Sequence, residues 1–430
     1  MDYFSFICNM KRFFLSIAAA LAVSAPVAST QELKTAFFLD NYIYSYKLNP
    51  GAPIKGRPYT FYSAALGNIS FSAQTDFVLP YFNFDWMNTG WNWNSLNFFT
   101  NYTQGNIIMP QASVNLFSFG RHGERGRFAF ECNVRSDNMV YAPVDFFSDF
   151  NVSLWGDWRI PSGTLGFRDI SFRANDYVEF LCSYSHKLGD YVTLGANVKF
   201  LLGLFGAGFE LYDLDAMILD EGDVQVDAYA DIFLSSALVK VGTVPSRGRE
   251  VYDFTQISFG RPGFTGRGLG LDIGITATPI DGLTLGAAVL DLGYIRWNES
   301  INGSIRYTER VVDYGANLFE LEVADRSTLA RPLNYNIHLS ADYVMPFYSG
   351  LSAGVLTTFQ EYFREVRLGL ALTPLKFISV AGSIAANNFG ADAGFAFNIR
   401  IPGINLFAGV DTIFLERSMT NASAGIQIAF

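Results

Sequence analysis

The feature that most constrains this chain is its final segment, Asn421-Ala-Ser-Ala-Gly-Ile-Gln-Ile-Ala-Phe430, which alternates strictly and stops on an aromatic ring. Ala422, Ala424, Ile426, Ile428 and Phe430 share one parity; Asn421, Ser423, Gly425, Gln427 and Ala429 share the other. A period of two puts the two sets on opposite faces of a strand. In a soluble protein a terminal strand of this kind would expose an apolar row along an unpaired edge, which invites aggregation. Paired with the first strand of a closed wall, the same row can face lipid. The ending is similar to the closing strand of bacterial outer-membrane β-barrels, whose terminal aromatic is read by the assembly machinery, so Phe430 is expected to be that signal.

The other end agrees. Met10-Lys11-Arg12 opens a short basic region, Phe13 to Val23 is an apolar stretch of signal-peptide length, and Val27-Ala28-Ser29 offers small residues for cleavage. Residues 1–29 are therefore expected to be a secretory leader, with Met10 as a possible true start. The apolar stretch is too short to span a bilayer as a helix. Cys8 precedes that stretch, so it is no lipoprotein anchor.

Composition narrows the class. Half the residues are hydrophobic, 16% are aromatic and only 16% are charged, where soluble domains carry roughly 25% charged residues. Yet the most apolar later run, Phe200 to Phe209, is broken by Gly203, Gly206 and Gly208. Backbone in hydrocarbon must satisfy its own polar groups, so only helices or closed barrels span a membrane. With no later apolar run long enough for a spanning helix, a barrel remains. The net charge of −10 argues against a nucleic-acid partner. Cys132 and Cys182 fall on apolar strand faces, with Phe128, Phe130 and Val134 and with Val178, Phe180 and Tyr184. A disulfide and two unpaired lipid-facing thiols both stay open.

Period-two segments recur from Asn68 onward. They include Asn68–Phe77, Asp190–Phe200, Val224–Leu234, Gly268–Ala277, Leu333–Tyr343, Ala391–Ile399 and Ile404–Thr412. The polar face of Leu333–Tyr343 carries Asn334, Asn336, His338, Ser340 and Asp342. Such a row suits a wet lumen, and Asn334, Asn336, His338 and Asp342 are the candidate lumen-lining residues. Counting hairpins back from the C-terminus puts short periplasmic turns at Arg400–Gly403, Thr373–Lys376, Met345–Gly350, Thr278–Gly282, Asp220–Asp223 and Lys187–Asp190. Long loops, Ala237–Gly266 and Trp297–Pro332, then fall outside. Upstream of about Asp176 the parity is not fixed.

Two regions resist the pattern. Glu32–Gly56 holds Phe37, Phe38, Tyr42, Tyr44 and Tyr46; a plug or hatch contacting an apolar ligand and ordinary aromatic packing both fit it, and Phe37, Phe38, Tyr42 and Tyr44 are the candidate hatch residues. Leu79–Pro110, with Trp86, Trp91 and Trp93, reads as girdle or loop packing. The expected organisation is therefore a leader (1–29), a pre-barrel segment (30–56) and an outer-membrane barrel (57–430).

Several stretches resemble an uncharacterised family of outer-membrane barrels related to the long-chain fatty-acid transporter group. They are Leu33-Lys-Thr-Ala-Phe-Phe-Leu-Asp-Asn41 with Lys47-Leu-Asn-Pro50, Ala65-Leu-Gly-Asn-Ile-Ser-Phe71, Tyr191-Val-Thr-Leu-Gly-Ala-Asn-Val-Lys-Phe-Leu201, Thr278-Pro-Ile-Asp-Gly-Leu-Thr-Leu285 and Ala288-Val-Leu-Asp-Leu-Gly293. The resemblance implies an all-β antiparallel up-and-down barrel of about 14 strands, within a range of about 12 to 18 that sequence allows. It also implies an N-terminal hatch and passage of small hydrophobic or amphipathic molecules across the outer membrane of a Gram-negative bacterium. Some relatives act in secretion or assembly, so a non-transporting barrel that anchors or presents partners is the alternative. No ligand-binding position carries over residue by residue.

Enzyme chemistry finds no constellation. His122, His186 and His338 are the only histidines, and no His-Glu-x-x-His, Cys-x-x-Cys or Ser–His–Asp order is present. Gly266-Arg-Gly-Leu-Gly-Leu-Asp-Ile-Gly274 has the glycines of a nucleotide loop, but they alternate on a strand and no helix follows. Asp220-Glu-Gly-Asp223 has too few ligands for calcium. No catalytic residue, cofactor or metal is expected. The expected partners are outer-membrane lipid, the assembly machinery and a small hydrophobic molecule.

Overall fold

The computed structural model describes residues 32–40, 42–53, 58–75, 107–141, 164–218, 224–246, 249–311, 321–322, 327–412 and 420–430. The leader and the tryptophan-rich stretch from Trp86 to Trp93 lie outside the described residues.

Strands follow in the order β1 (Tyr59–Ala64), β2 (Ile69–Thr75), β3 (Ile107–His122), β4 (Gly126–Tyr141), β5 (Thr164–Leu188), β6 (Val192–Ile218), β7 (Val224–Ser236), β8 (Val239–Ser246), β9 (Arg249–Phe259) and β10 (Gly266–Ile280). Then come β11 (Leu283–Val311), β12 (Leu321–Glu322), β13 (Ser327–Pro332), β14 (Asn336–Val344), β15 (Leu351–Phe359), β16 (Arg364–Leu375), β17 (Ile378–Asn387), β18 (Gly390–Ile401), β19 (Ile404–Val410) and β20 (Thr420–Ala429). They form a closed antiparallel barrel of 14 wall positions. Closure runs to the last residue: the Phe430 and Thr60 backbones exchange both hydrogen bonds at 2.9 Å.

There are more strands than wall positions because three positions are shared and β8, β9 and β12 form a small separate sheet. β1 and β2 both pair β3 and β20, and the break between them falls at Ala65, whose φ of 59° lies in the left-handed region. β13 and β14 follow each other along β11. The third case is the most consequential. β6 pairs β10 over Val192–Gly203 and β7 over Phe205–Ile218, while β11 pairs β10 up to Trp297 and β7 from Ile301. β7 and β10 are thus one descending wall strand, interrupted by an excursion that carries the β8–β9 hairpin; β9 also pairs β12.

This overturns one sequence expectation. Asp220–Asp223 is not a turn at the short-turn end: Ile218 and Val224, on either side of it, stand at the far end of long strands. Nor are Ala237–Gly266 and Trp297–Pro332 plain loops, since they contain β8, β9, the outer part of β11 and β13. The other short turns stand where expected, with Gly189, Gly282 and Gly403 at φ of 61°, 84° and 92°, values that only glycine adopts freely.

The wall is amphipathic in the inverted sense. On β16, Val366, Leu368 and Leu370 are exposed outside, while Glu365 and Arg367 are buried inside. The same apolar exterior continues through Leu269, Ile273 and Ile275 on β10, Phe395 on β18 and Ile426 and Ile428 on β20. A contiguous apolar exterior of this extent is that of a lipid-facing barrel. Cys132 and Cys182 are free thiols in adjacent strands, opposite Phe180 and Phe130 respectively. Among the described residues no helix is long and apolar enough to cross a membrane.

Candidate functional site

The lumen is filled by Leu33–Ala52. Its two short helical turns, Lys34–Phe38 and Ser45–Leu48, are too brief to stand alone, and nearly all of its side chains are buried. One end docks just past β19 and on β17: the Lys34 and Thr35 backbone N–H groups each donate to the Asp411 carboxylate at 2.8 Å, and the Thr35 hydroxyl meets Ser383 at 2.8 Å. Arg367, fully buried, donates to Glu365 at 3.0 Å and to Ser383 at 2.9 Å, and Lys34 lies 3.4 Å from Glu365.

The other end docks across the ring, on β10 and β6. Thr276 donates to the Gly51 carbonyl at 2.6 Å, and a Cβ on Gly51 would stand 2.5 Å from the Gly274 carbonyl oxygen. A Cβ on Gly195 would clash with the Pro50 carbonyl. Backbone therefore packs directly on backbone, with Gly195 and Gly274 as the seat, whereas Gly266 makes room for the Trp297 ring. Arg127 donates to the Pro50 carbonyl and to Ser45, each at 3.0 Å. Arg121–Arg127 spans the β3–β4 turn, where Arg127 and His122 are drawn inside, His122 stacking on Tyr59 at 4.9 Å.

Between these ends lies an aromatic cluster. Tyr42 and Tyr44 meet Phe407 edge-on at 5.1 and 5.9 Å, and Tyr44 meets Phe61 at 6.4 Å. Phe38 is buried, so close to Gly369 that a side chain there would collide with its ring; Phe37 is half-buried against the same cluster. The hydroxyls are all engaged: Tyr42 with Glu32, Tyr44 with Ser118, Tyr46 with Glu131. Lys47 bridges Glu32 and Glu131 at 3.0 Å each.

Facing the segment is a charged wall. Lys199 sits 2.7 Å from Asp272 and 2.6 Å from Asp291, and Arg135 sits 2.7 Å from Glu179 and 3.3 Å from Asp291. Asp291 can reach both cations because it occupies a left-handed position, φ 58°, where the β10–β11 register shifts. Burying five such charges is costly unless each is paired and hydrogen-bonded, and here each is paired.

Of the candidate lumen residues, His338 donates from Nδ1 to the Leu48 carbonyl at 2.9 Å, Asn334 donates to Asp137 at 3.0 Å, and Asn336 bonds Gln360. Asp342 lies beside Gly354. Among the described residues the lumen around the segment holds a cavity of about 50 Å³ lined by Lys47, Arg135, Lys199, Asp291, Asn336 and His338, and one of about 30 Å³ lined by Gln111, Asp137, Tyr177, Asn334 and Glu361. A larger cavity, about 220 Å³, lies further out among Phe172, Phe209, Phe233, Leu329, Arg173 and Arg331. Arg331 stacks 4.3 Å from the Phe233 ring and donates to the Ala207 carbonyl at 3.0 Å. Among the described residues no cluster of three or more His, Cys, Asp or Glu could hold a metal ion.

A lipid-facing antiparallel barrel whose lumen is occupied by its own N-terminal segment defines the class: an outer-membrane-type barrel. Within it, the chain belongs to a family of unknown function, DUF5723, whose model matches residues 50–411. No curated protein matches the sequence. Among solved structures it is similar to the toluene transporter TbuX of Ralstonia pickettii, at 10% identity and TM-score 0.47 over 94% of this chain and 98% of that one. It is similar too to the toluene transporter TodX of Pseudomonas putida (10%, 0.44, 94% and 97%) and to a FadL homologue of Pseudomonas aeruginosa (10%, 0.44, 94% and 99%).

Proposed function

We propose that this chain sits in the outer membrane of a Gram-negative bacterium and passes a small hydrophobic or amphipathic molecule when Leu33–Ala52 moves as a hatch. One observation carries the reading. Among the described residues, every backbone–backbone hydrogen bond of this segment is internal, such as Ala36 to Leu33, Ser45 to Tyr42 and Ala52 to Asn49. Among the described residues, its hydrogen bonds to the wall all involve a side chain, as at Asp411, Asn197, Arg127 and Thr276. The wall ladder is complete without it, so the segment can leave while the barrel stays closed, as a gating element must. The 220 Å³ vestibule, apolar rings beside two arginines, suits an amphipathic solute. In this reading Asn334, Asn336, His338 and Asp342 line the route, and Phe430 addresses the assembly machinery. No catalytic or cofactor role is part of it.

The test is a tether. Thr35→Cys with Ser383→Cys replaces two side chains whose oxygens already touch, in a background with Cys132 and Cys182 changed to Ser. Proteoliposomes of this variant should pass a small amphipathic dye when reduced and hold it back when oxidised. Equal passage in both states would rule out the hatch; no passage in either would favour the alternative, a barrel that anchors a partner. That alternative has its own observation, the exposed Ile257 and Phe259 on β9. Pull-down after mild crosslinking, with and without the β8–β9 hairpin, addresses it.

A further inference from the structure

Arg267 on β10 and Arg296 on β11 are directly paired across the wall, and both are exposed. Both point outward. They share parity with exposed Leu269, Ile273, Leu292 and Tyr294, while Asp272, Ile295 and Trp297 of the other parity are buried. Like charges set opposite each other in an antiparallel pair repel. Strand neighbours do not relieve the repulsion: the flanking wall partners are Leu202 and Ala330, and Arg296 donates to the Thr328 hydroxyl at 3.3 Å. Among the described residues neither guanidinium meets a carboxylate.

Their depth is equally specific. From Ile280 to Leu269 the exposed side of β10 is apolar, and this is about the length, roughly 9–11 residues, that a tilted strand needs to cross hydrocarbon. Arg267 is the next outward residue. Beyond it the chain leaves the wall through exposed Phe264, exposed Arg261 and exposed Phe259. Two fork-shaped donors thus stand side by side where the apolar band stops, with aromatic rings in the adjoining exit segment.

We propose that Arg267 and Arg296 clamp the phosphate of a phosphorylated glycolipid in the outer leaflet, with the acyl chains lying along Leu269, Leu292 and Tyr294. Guanidinium groups hold phosphate oxygens in bidentate, charge-assisted pairs, and a shared anion turns the repulsion between the two arginines into a binding site. The assignment of this leaflet rests on the proposed outer-membrane orientation, short turns inward.

Purified barrel in detergent is titrated with bisphosphorylated lipid A, with its dephosphorylated form and with inorganic phosphate. Wild type should hold the phosphorylated lipid, and Arg267→Gln with Arg296→Gln should weaken it roughly tenfold or more, the scale of losing two charge-assisted contacts. Arg168→Gln, an exposed arginine elsewhere, should leave it unchanged. Equal binding of the dephosphorylated lipid, an unchanged double variant, or full competition by millimolar inorganic phosphate would each overturn the proposal. Heat-modifiable gel migration and membrane fractionation of the same variants report on the barrel reading separately. A well-assembled outer-membrane barrel that ignores the lipid's phosphate sinks this inference alone.

Discussion

Below the level of Trp297 and above it, the same barrel is two different environments. Below, the lumen is packed shut around Leu33–Ala52, its charges buried and cross-paired, with cavities of about 50 and 30 Å³. Above, β5, β6, β7 and β11 continue as a rim around a cavity of about 220 Å³, and its ion pairs are wet: Arg168 and Asp213 meet at 3.0 Å with 67% and 45% of their side chains exposed. For the proposed passage, the difference teaches where selectivity must sit: each step inward from the rim displaces a buried, paired group. Trp297 marks the boundary; its ring lies over Gly203, Gly206 and Gly266, where any Cβ would collide.

The largest effect should come from the charged wall. Lys199→Met leaves Asp272 without its cation and Asp291 with Arg135 alone, so about 3–5 kcal/mol of stability should be lost, read by urea unfolding of the folded barrel in micelles. A loss below about 1 kcal/mol would mean that water reaches these groups and that the lower compartment is not closed. Next comes Phe407→Ala, at about 3 kcal/mol, the low end for such truncations because the docked segment can settle into the space. Its signature is selective: proteolysis within Leu33–Ala52 should rise while heat-modifiable migration of the barrel holds. If barrel and segment loosen together, the segment is structural mortar and no hatch.

Gly51→Ala should cost about 1–3 kcal/mol in docking of the segment, as overpacking against backbone that cannot turn aside. Gly274→Ala probes the same contact, so the double variant should fall short of the sum; simple additivity, measured by the same proteolysis assay, would place the two glycines in separate contacts. The smallest effect belongs above Trp297. Arg168→Gln should leave the unfolding curve almost unchanged, and any residual effect should vanish at high salt. A larger effect there would erase the contrast between the two compartments.

Much of the wall was legible in the sequence, because lipid outside and a polar lumen inside impose a period of two on the spanning strands; Ala391–Ile399 is one instance and Ile69–Thr75, within Asn68–Phe77, another. The turns of the C-terminal half were legible for a different reason, since Gly282 and Gly403 stand in conformations that glycine favours. The shared position of β7 and β10 was not. Each reads as a full strand, and periodicity says nothing about which neighbour a strand pairs. Gly203, Gly206 and Gly208 added to the confusion: they look like breaks in an apolar run, yet β6 passes straight through them because Trp297 and Arg331 occupy the space their side chains would take. The aromatic run from Phe37 to Tyr46 fitted a plug and ordinary packing alike, because its anchors are split between β16, which carries Glu365 and Arg367, and Asp411 just past β19, and only the folded wall brings them together.

That shared position has a consequence for how such a barrel can change over time. Ring size and stagger are set by the pairings of β6, β10 and β11 in the membrane, and everything between Ser236 and Gly266 hangs from a joint above them. Material can be added, shortened or exchanged there as a cassette, with no renegotiation of circumference. Among homologues, length variation should therefore pool at this joint. For the engineer it is a surface port on a closed cylinder, one that opens sideways from the wall instead of from a loop at the mouth.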